Sequence, residues 1–85
     1  MIGVDREEDL RARITVDPAV LAGKPVIRGM RISVEQIVTA IAARVPQEEL
    51  LAEYPGLEPE DIQAALQYAA DLVAAERVYS VPQPA

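Results

Sequence analysis

Apolar residues recur along this chain in two rhythms, and each predicts a different element. Arg13-Ile14-Thr15-Val16-Asp17 alternates charged or polar residues with β-branched ones, the two-residue period of a half-buried strand, and Pro18 ends it. Asp17 as N-cap, Pro18 at the first helical position and Gly23 beyond predict one short helical turn over residues 18–22. Pro25-Val26-Ile27-Arg28 and Arg31-Ile32 are β-like on either side of Gly29, whose backbone freedom suits a turn.

From Ser33 onward the rhythm is helical. Ser33 and Gln36 form a capping box, in which each side chain satisfies a backbone N–H that the first helical turn leaves free, so a helix is predicted from Val34. Val34, Ile37, Val38, Ile41 and Val45 give it one continuous apolar face, and Pro46 closes it. Pro46 also begins a second helix, with Glu48 and Glu49 near its positive end and Leu50 and Leu51 as its apolar face; Pro55-Gly56 interrupts it after about two turns. Pro59, Glu60 and Asp61 repeat the start signal, and Ile62, Ala65, Leu66, Ala69, Leu72, Val73 and Glu76 keep helical spacing through the longest helix. Its alanines favour helix and permit close approach of a second helix.

The expected organisation is a flexible N-terminus over residues 1–10, frayed or folded into one helical turn, a single domain over 11–77, and an extended tail over 78–85 carrying Pro82 and Pro84. The fold class is mainly α: a short N-terminal β-hairpin element followed by a three-helix bundle with a helix-turn-helix. The pattern by itself fits a plain small helical domain equally well.

Composition narrows the chemistry. The 85 residues contain no Cys, His, Phe or Trp, so the core is aliphatic, no disulfide or thiolate site can form, and the commonest general base is missing. The chain is expected not to be an enzyme and to need no cofactor or metal. With no signal-peptide pattern and no membrane-length apolar run, a reducing cytoplasm is the expected location. A chain this short buries only roughly 60% of its unfolded surface, a shortfall that a homodimer would repair.

Charge is unevenly spread over the net −6. Residues 1–33 hold six basic against five acidic residues, net +1, whereas residues 34–85 hold two basic against nine acidic, net −7. Arg11, Arg13, Lys24, Arg28 and Arg31 are the basic concentration, readable either as a phosphate-contacting patch or as partners of the acidic body. Gly23-Lys24 lacks the remaining residues of a phosphate loop, so turn geometry is the reading preferred for Gly23 and Gly29. The last helix opens with Glu58, Glu60 and Asp61, which repel phosphate and leave Gln63 and Gln67 as its only base-reading side chains. Any contact with double-stranded DNA is therefore expected mainly from the arginine-bearing β segment. The tail residues Val78, Tyr79 and Val81 could add as a strand to a partner's sheet edge, or form a disordered terminus.

Gly23-Lys24-Pro25-Val26-Ile27-Arg28-Gly29, then Arg31-Ile32-Ser33-Val34, Pro46, Glu48-Glu49-Leu50-Leu51, Glu53-Tyr54-Pro55, Leu57, Pro59, Asp61-Ile62 and Ala64-Ala65-Leu66 with Tyr68-Ala69 resemble the bacterial family called domain of unknown function 433. Members of that family resemble VapB-type antitoxins. The resemblance implies a homeodomain-like or winged-helix-like helix-turn-helix, a homodimer or higher homo-oligomer, and pairing with a PIN-like ribonuclease toxin. Because such a nuclease gathers carboxylates around a metal, an inserted arginine could pair with them and displace the ion. Met30 stands where the family usually has Thr, and Val45 and Glu58 stand where Ser or Thr often caps the following helix, which weakens two caps. The alternative to an antitoxin is an oligomeric structural adaptor without DNA binding.

Overall fold

The computed structural model describes residues 6–76. Helix α1 (Arg6–Arg11) leads into an antiparallel pair, β1 (Ile14–Val16) and β2 (Pro25–Ile27), followed by α2 (Val34–Ala42), α3 (Gln47–Glu53) and α4 (Pro59–Glu76). The fold is mainly helical with a short N-terminal hairpin, and α3 and α4 are joined by a five-residue turn over residues 54–58. Among the described residues, no helix is long and apolar enough to cross a membrane. Within the N-terminal stretch the described residues form α1, six residues long, which packs on α4; residues 1–5 lie outside the described residues.

The hairpin pairs Ile14 with Ile27, Thr15 with Val26 and Val16 with Pro25. Its ladder runs one bond further, where the Arg28 N–H donates to the Arg13 carbonyl at 2.7 Å. At the other end β1 stops before Asp17, because the Asp17 carboxylate accepts the Ala19 N–H and its carbonyl accepts the Val20 N–H, closing a turn. The helical turn expected over residues 18–22 forms only in part: Asp17 caps a single turn closed at Val20, and Leu21, Ala22 and Gly23, a short 3-10 element, then all take positive φ. Gly29, with φ +78°, occupies the third position of a turn that the Met30 N–H closes on the Ile27 carbonyl. The chain then doubles back, but Arg31-Ile32 adds no third strand: one bridge, Val26 to Ser33, is all that pairs.

Helix α2 starts where its capping box places it, with the Gln36 N–H donating to Ser33 Oγ at 3.0 Å and the Ser33 N–H donating to Gln36 Oε1 at 2.8 Å. It ends earlier than Pro46 predicts. Arg44 adopts φ +67°, and the Arg44 and Val45 N–H groups donate back to the carbonyls of Ile41 and Ala40, the two bonds of a Schellman cap. Val45 thus lies outside the helix yet packs against the core. That core unites Ile27 and Ile32 from the hairpin region, Val34 and Ile37 of α2, Leu50 of α3, Leu57, and Ile62 and Ala65 of α4.

The apolar face of α4 is only partly used. Eighteen residues make a helix about 27 Å long, while the nine of α2 reach about 14 Å, so α2 shields only part of it. Leu66, Leu72 and Val73, which share the helical spacing of the core residues, remain 40%, 53% and 64% exposed.

Candidate functional site

The five basic residues do not form one patch, because three of them are bound within the chain. The Arg13 guanidinium donates from one nitrogen to Glu58 at 2.8 Å and to Asp61 at 2.9 Å, joining β1's leading edge to the start of α4. These two carboxylates raise the Arg13 pKa above its ordinary value, the Glu58 hydrogen bond contributing most and that to Asp61 next. Lys24 pairs with Glu35 at 2.9 Å on an exposed surface, and the Lys24 hydrogen bond lowers the Glu35 pKa below the usual glutamate range. Arg28 donates one hydrogen bond, to the Ala12 carbonyl at 2.9 Å, and stays exposed.

Arg11 and Arg31 are exposed and make no hydrogen bond or ion pair among the described residues. Arg11 closes α1 and lines a crevice with Leu10, Ile14, Ala64, Gln67 and Tyr68. Arg31 stands beside Arg28 around the Gly29 turn, on the rim of a cleft that also takes in Val16, Val20 and Met30. Gln63 is exposed on α4, whereas Gln67 donates to Asp71 at 3.0 Å. The tail residues Val78, Tyr79 and Val81 lie outside the described residues.

Reading Glu58 as a weakened cap misses how α4 begins. Asp61, three residues on, accepts the Glu58 N–H at 2.9 Å with one carboxylate oxygen and the Arg13 guanidinium with the other. The start of α4 is therefore closed by a buried aspartate and a cation from the far end of the sequence, not by a hydroxyl at the cap. The spacing Glu-Pro-Glu-Asp carries half of that signal, since an acid at the third helical position can reach back to the cap N–H.

Among the described residues, the surfaces left open by this pairing include the Gly29 turn with its arginines and the exposed Val16, and the outer stripe of α4.

Known proteins bear on these features. The family model described as "Protein of unknown function (DUF433)" matches residues 14–69, which span the hairpin, α2, α3 and the first part of α4. The crystal structure of a DUF433 member protein from Anabaena variabilis superposes with a TM-score of 0.70 at 37% identity, covering 80% of this chain and 67% of that one. The uncharacterized protein y4eO of Sinorhizobium fredii is 37% identical over 68 residues, 76% of this chain but only 31% of that protein, so the chain spans about a third of that relative's length. The matched segment contains the Gly29 turn, the Ser33 cap and the Glu58-Asp61 start of α4, and on this ground the chain belongs to the DUF433 family.

Proposed function

We propose that this chain is a non-catalytic, cytoplasmic binding protein of the VapB antitoxin type, a homodimer that restrains a PIN-like ribonuclease. The observation that carries the reading is the Gly29 turn. It presents Arg28 and Arg31, both exposed, beside the exposed apolar Val16 in one shallow cleft. Such a surface suits a protein partner lined with carboxylates: the planar guanidinium forks match carboxylate geometry, and the apolar neighbours add area that a phosphate backbone would not use.

A second reading, operator DNA, draws on the same two arginines together with Arg11. Against it, Arg13 and Lys24 are already paired inside the chain, and α4 opens with carboxylates where a reading helix needs donors.

Co-expression with a PIN-like ribonuclease tests the first reading. Growth arrest by the nuclease is relieved by the wild-type chain and not by the Arg28→Glu/Arg31→Glu variant. Relief by both equally, or by neither, refutes the assignment. Retention of duplex DNA that weakens linearly with the logarithm of salt, and is lost in the same double variant, would favour the second reading instead.

A further inference from the structure

One edge of the hairpin is open, and the ladder fixes which backbone groups it presents. The Arg28 N–H donates to the Arg13 carbonyl at 2.7 Å, and Thr15, two residues on, lies level with Val26, so Arg13 and Thr15 turn their backbone groups toward β2. Ile14 and Val16 turn theirs the other way, which is why Pro25 is tolerated opposite Val16. None of these outward N–H and C=O groups has a partner among the described residues. The far side of β2 is taken, because the Ile27 N–H donates to the Ile32 carbonyl at 3.0 Å and Val26 bridges Ser33. An edge is commonly protected by a lysine or a proline, yet Ile14-Thr15-Val16 holds neither, and the apolar Val16 is 58% exposed.

Cations stand beside this edge. Arg28 donates to the Ala12 carbonyl at 2.9 Å, which sets its charge at the leading end of β1, and Arg31 lines the same cleft as Thr15 and Val16. From this we infer that β1 takes up an extended, acidic segment of a partner protein as an added antiparallel strand. Unpaired backbone groups ask for a strand, and the two guanidinium groups select carboxylates at its C-terminal end, the end that antiparallel addition lays beside Arg28. With only three residues β1 makes a short ladder, so charge supplies the selectivity that length cannot. A second copy of β1 fits less well: the acid it brings is Asp17, whose carboxylate already accepts the Ala19 N–H. The inference deepens the proposed reading, on which its choice of partner rests, by naming how the partner is held.

The probe is a synthetic peptide of about six residues that alternates valine with threonine and ends in glutamates, titrated into the full chain and followed by amide NMR and hydrogen exchange. Binding below about 1 mM is expected, with the Ile14 and Val16 amides gaining protection while Thr15, already turned toward β2, gains none. Arg28→Glu/Arg31→Glu should weaken it by at least about tenfold, and a lysine-ended peptide should not bind. Val16→Pro removes an outward N–H that the hairpin does not use, so it should abolish binding with an unchanged urea midpoint. Should that variant unfold, N-methylation of alternate peptide residues asks the same question of the wild type: one of the two methylated sets should lose binding and the other keep it. No binding at about 1 mM overturns the inference. So does equal binding of the lysine peptide, binding by folded Val16→Pro, indifference to both methylated sets, or protection of Ile14 and Val16 before any peptide is added, which marks an edge already filled. Peptide capture without relief of the nuclease's growth arrest would remove the antitoxin reading and keep the strand site, whereas relief that survives Val16→Pro would do the reverse.

Discussion

Removing the Asp61 carboxylate tests how α4 is anchored. In the Asp61→Ala variant the Glu58 N–H loses its acceptor and Arg13 loses the better buried of its two partners. A capping interaction of this kind contributes about 1 kcal/mol. The charge-assisted bond to Arg13 ranges over roughly 1.5–3 kcal/mol when buried, and belongs at the low end because the Arg13 side chain is 28% exposed and water can replace part of it. The total, about 2–3 kcal/mol, is a large share of the about 4–13 kcal/mol expected for a domain of this size. It corresponds to a fall in Tm of roughly 10–20 °C.

The comparison that gives the number meaning is Glu58→Ala. Glu58 also touches Arg13 at 2.8 Å, yet its side chain is 60% exposed against 8% for Asp61, so its loss should cost less than about 1 kcal/mol. Asp61→Asn should fall between the two, since an amide oxygen can still accept the Glu58 N–H. Urea unfolding followed at 222 nm measures all three, and a midpoint shift at constant slope confirms that native stability has changed. In about 1 M salt the Glu58 contribution should fade and that of Asp61 persist. Equal losses for Asp61→Ala and Glu58→Ala would refute the argument, because the two differ chiefly in burial and in the backbone bond.

Other consequences can be checked on the same instruments. Ser33→Ala removes the acceptor for the Gln36 N–H at a buried cap and should cost about 1–2 kcal/mol in urea unfolding. Arg44→Gly should stabilise the chain by roughly 0.5–1 kcal/mol, because Arg44 takes φ +67° at an exposed helix end where glycine is unstrained. The Glu35 carboxylate, titrated by NMR, should ionise below the usual glutamate range and return to it in Lys24→Met. Its folded pKa is the lower one, so any stability the pair adds is present above the ordinary glutamate pKa and lost as pH falls through the folded value.

What the sequence made legible was what neighbouring residues decide. The Ser33 box needs a partner only three residues away, and Gly29 is required by a turn that closes over four residues, so both are readable locally. The end of α2 was not, since the left-handed residue is Arg44, and arginine carries none of the signal that glycine or asparagine would. The left-handed turn at Leu21-Ala22 was hidden for the same reason. The fate of the cations was hidden by distance: Arg13 meets Glu58 and Asp61 across 45 and 48 positions, and no periodicity reports that contact. Helical spacing likewise put Leu66, Leu72 and Val73 with the core residues, but Leu66 and Val73 sit to one side of the face that Ile62 and Ala65 bury, and Leu72 lies beyond its buried part, so all three stay in solvent.

These misreadings share a cause that bears on function. In a chain with only eight basic residues, which ones meet a partner is decided by which ones the fold has already used. Arg13 fixes the start of α4 to the hairpin, and Lys24 is taken by Glu35, so on the proposed reading cationic recognition falls to the exposed Arg28 and Arg31 at the Gly29 turn. A single such turn offers little area. Arg28→Glu/Arg31→Glu should therefore weaken capture of an acidic partner, whereas Arg11→Glu, in the separate crevice beside α1, should leave it unchanged.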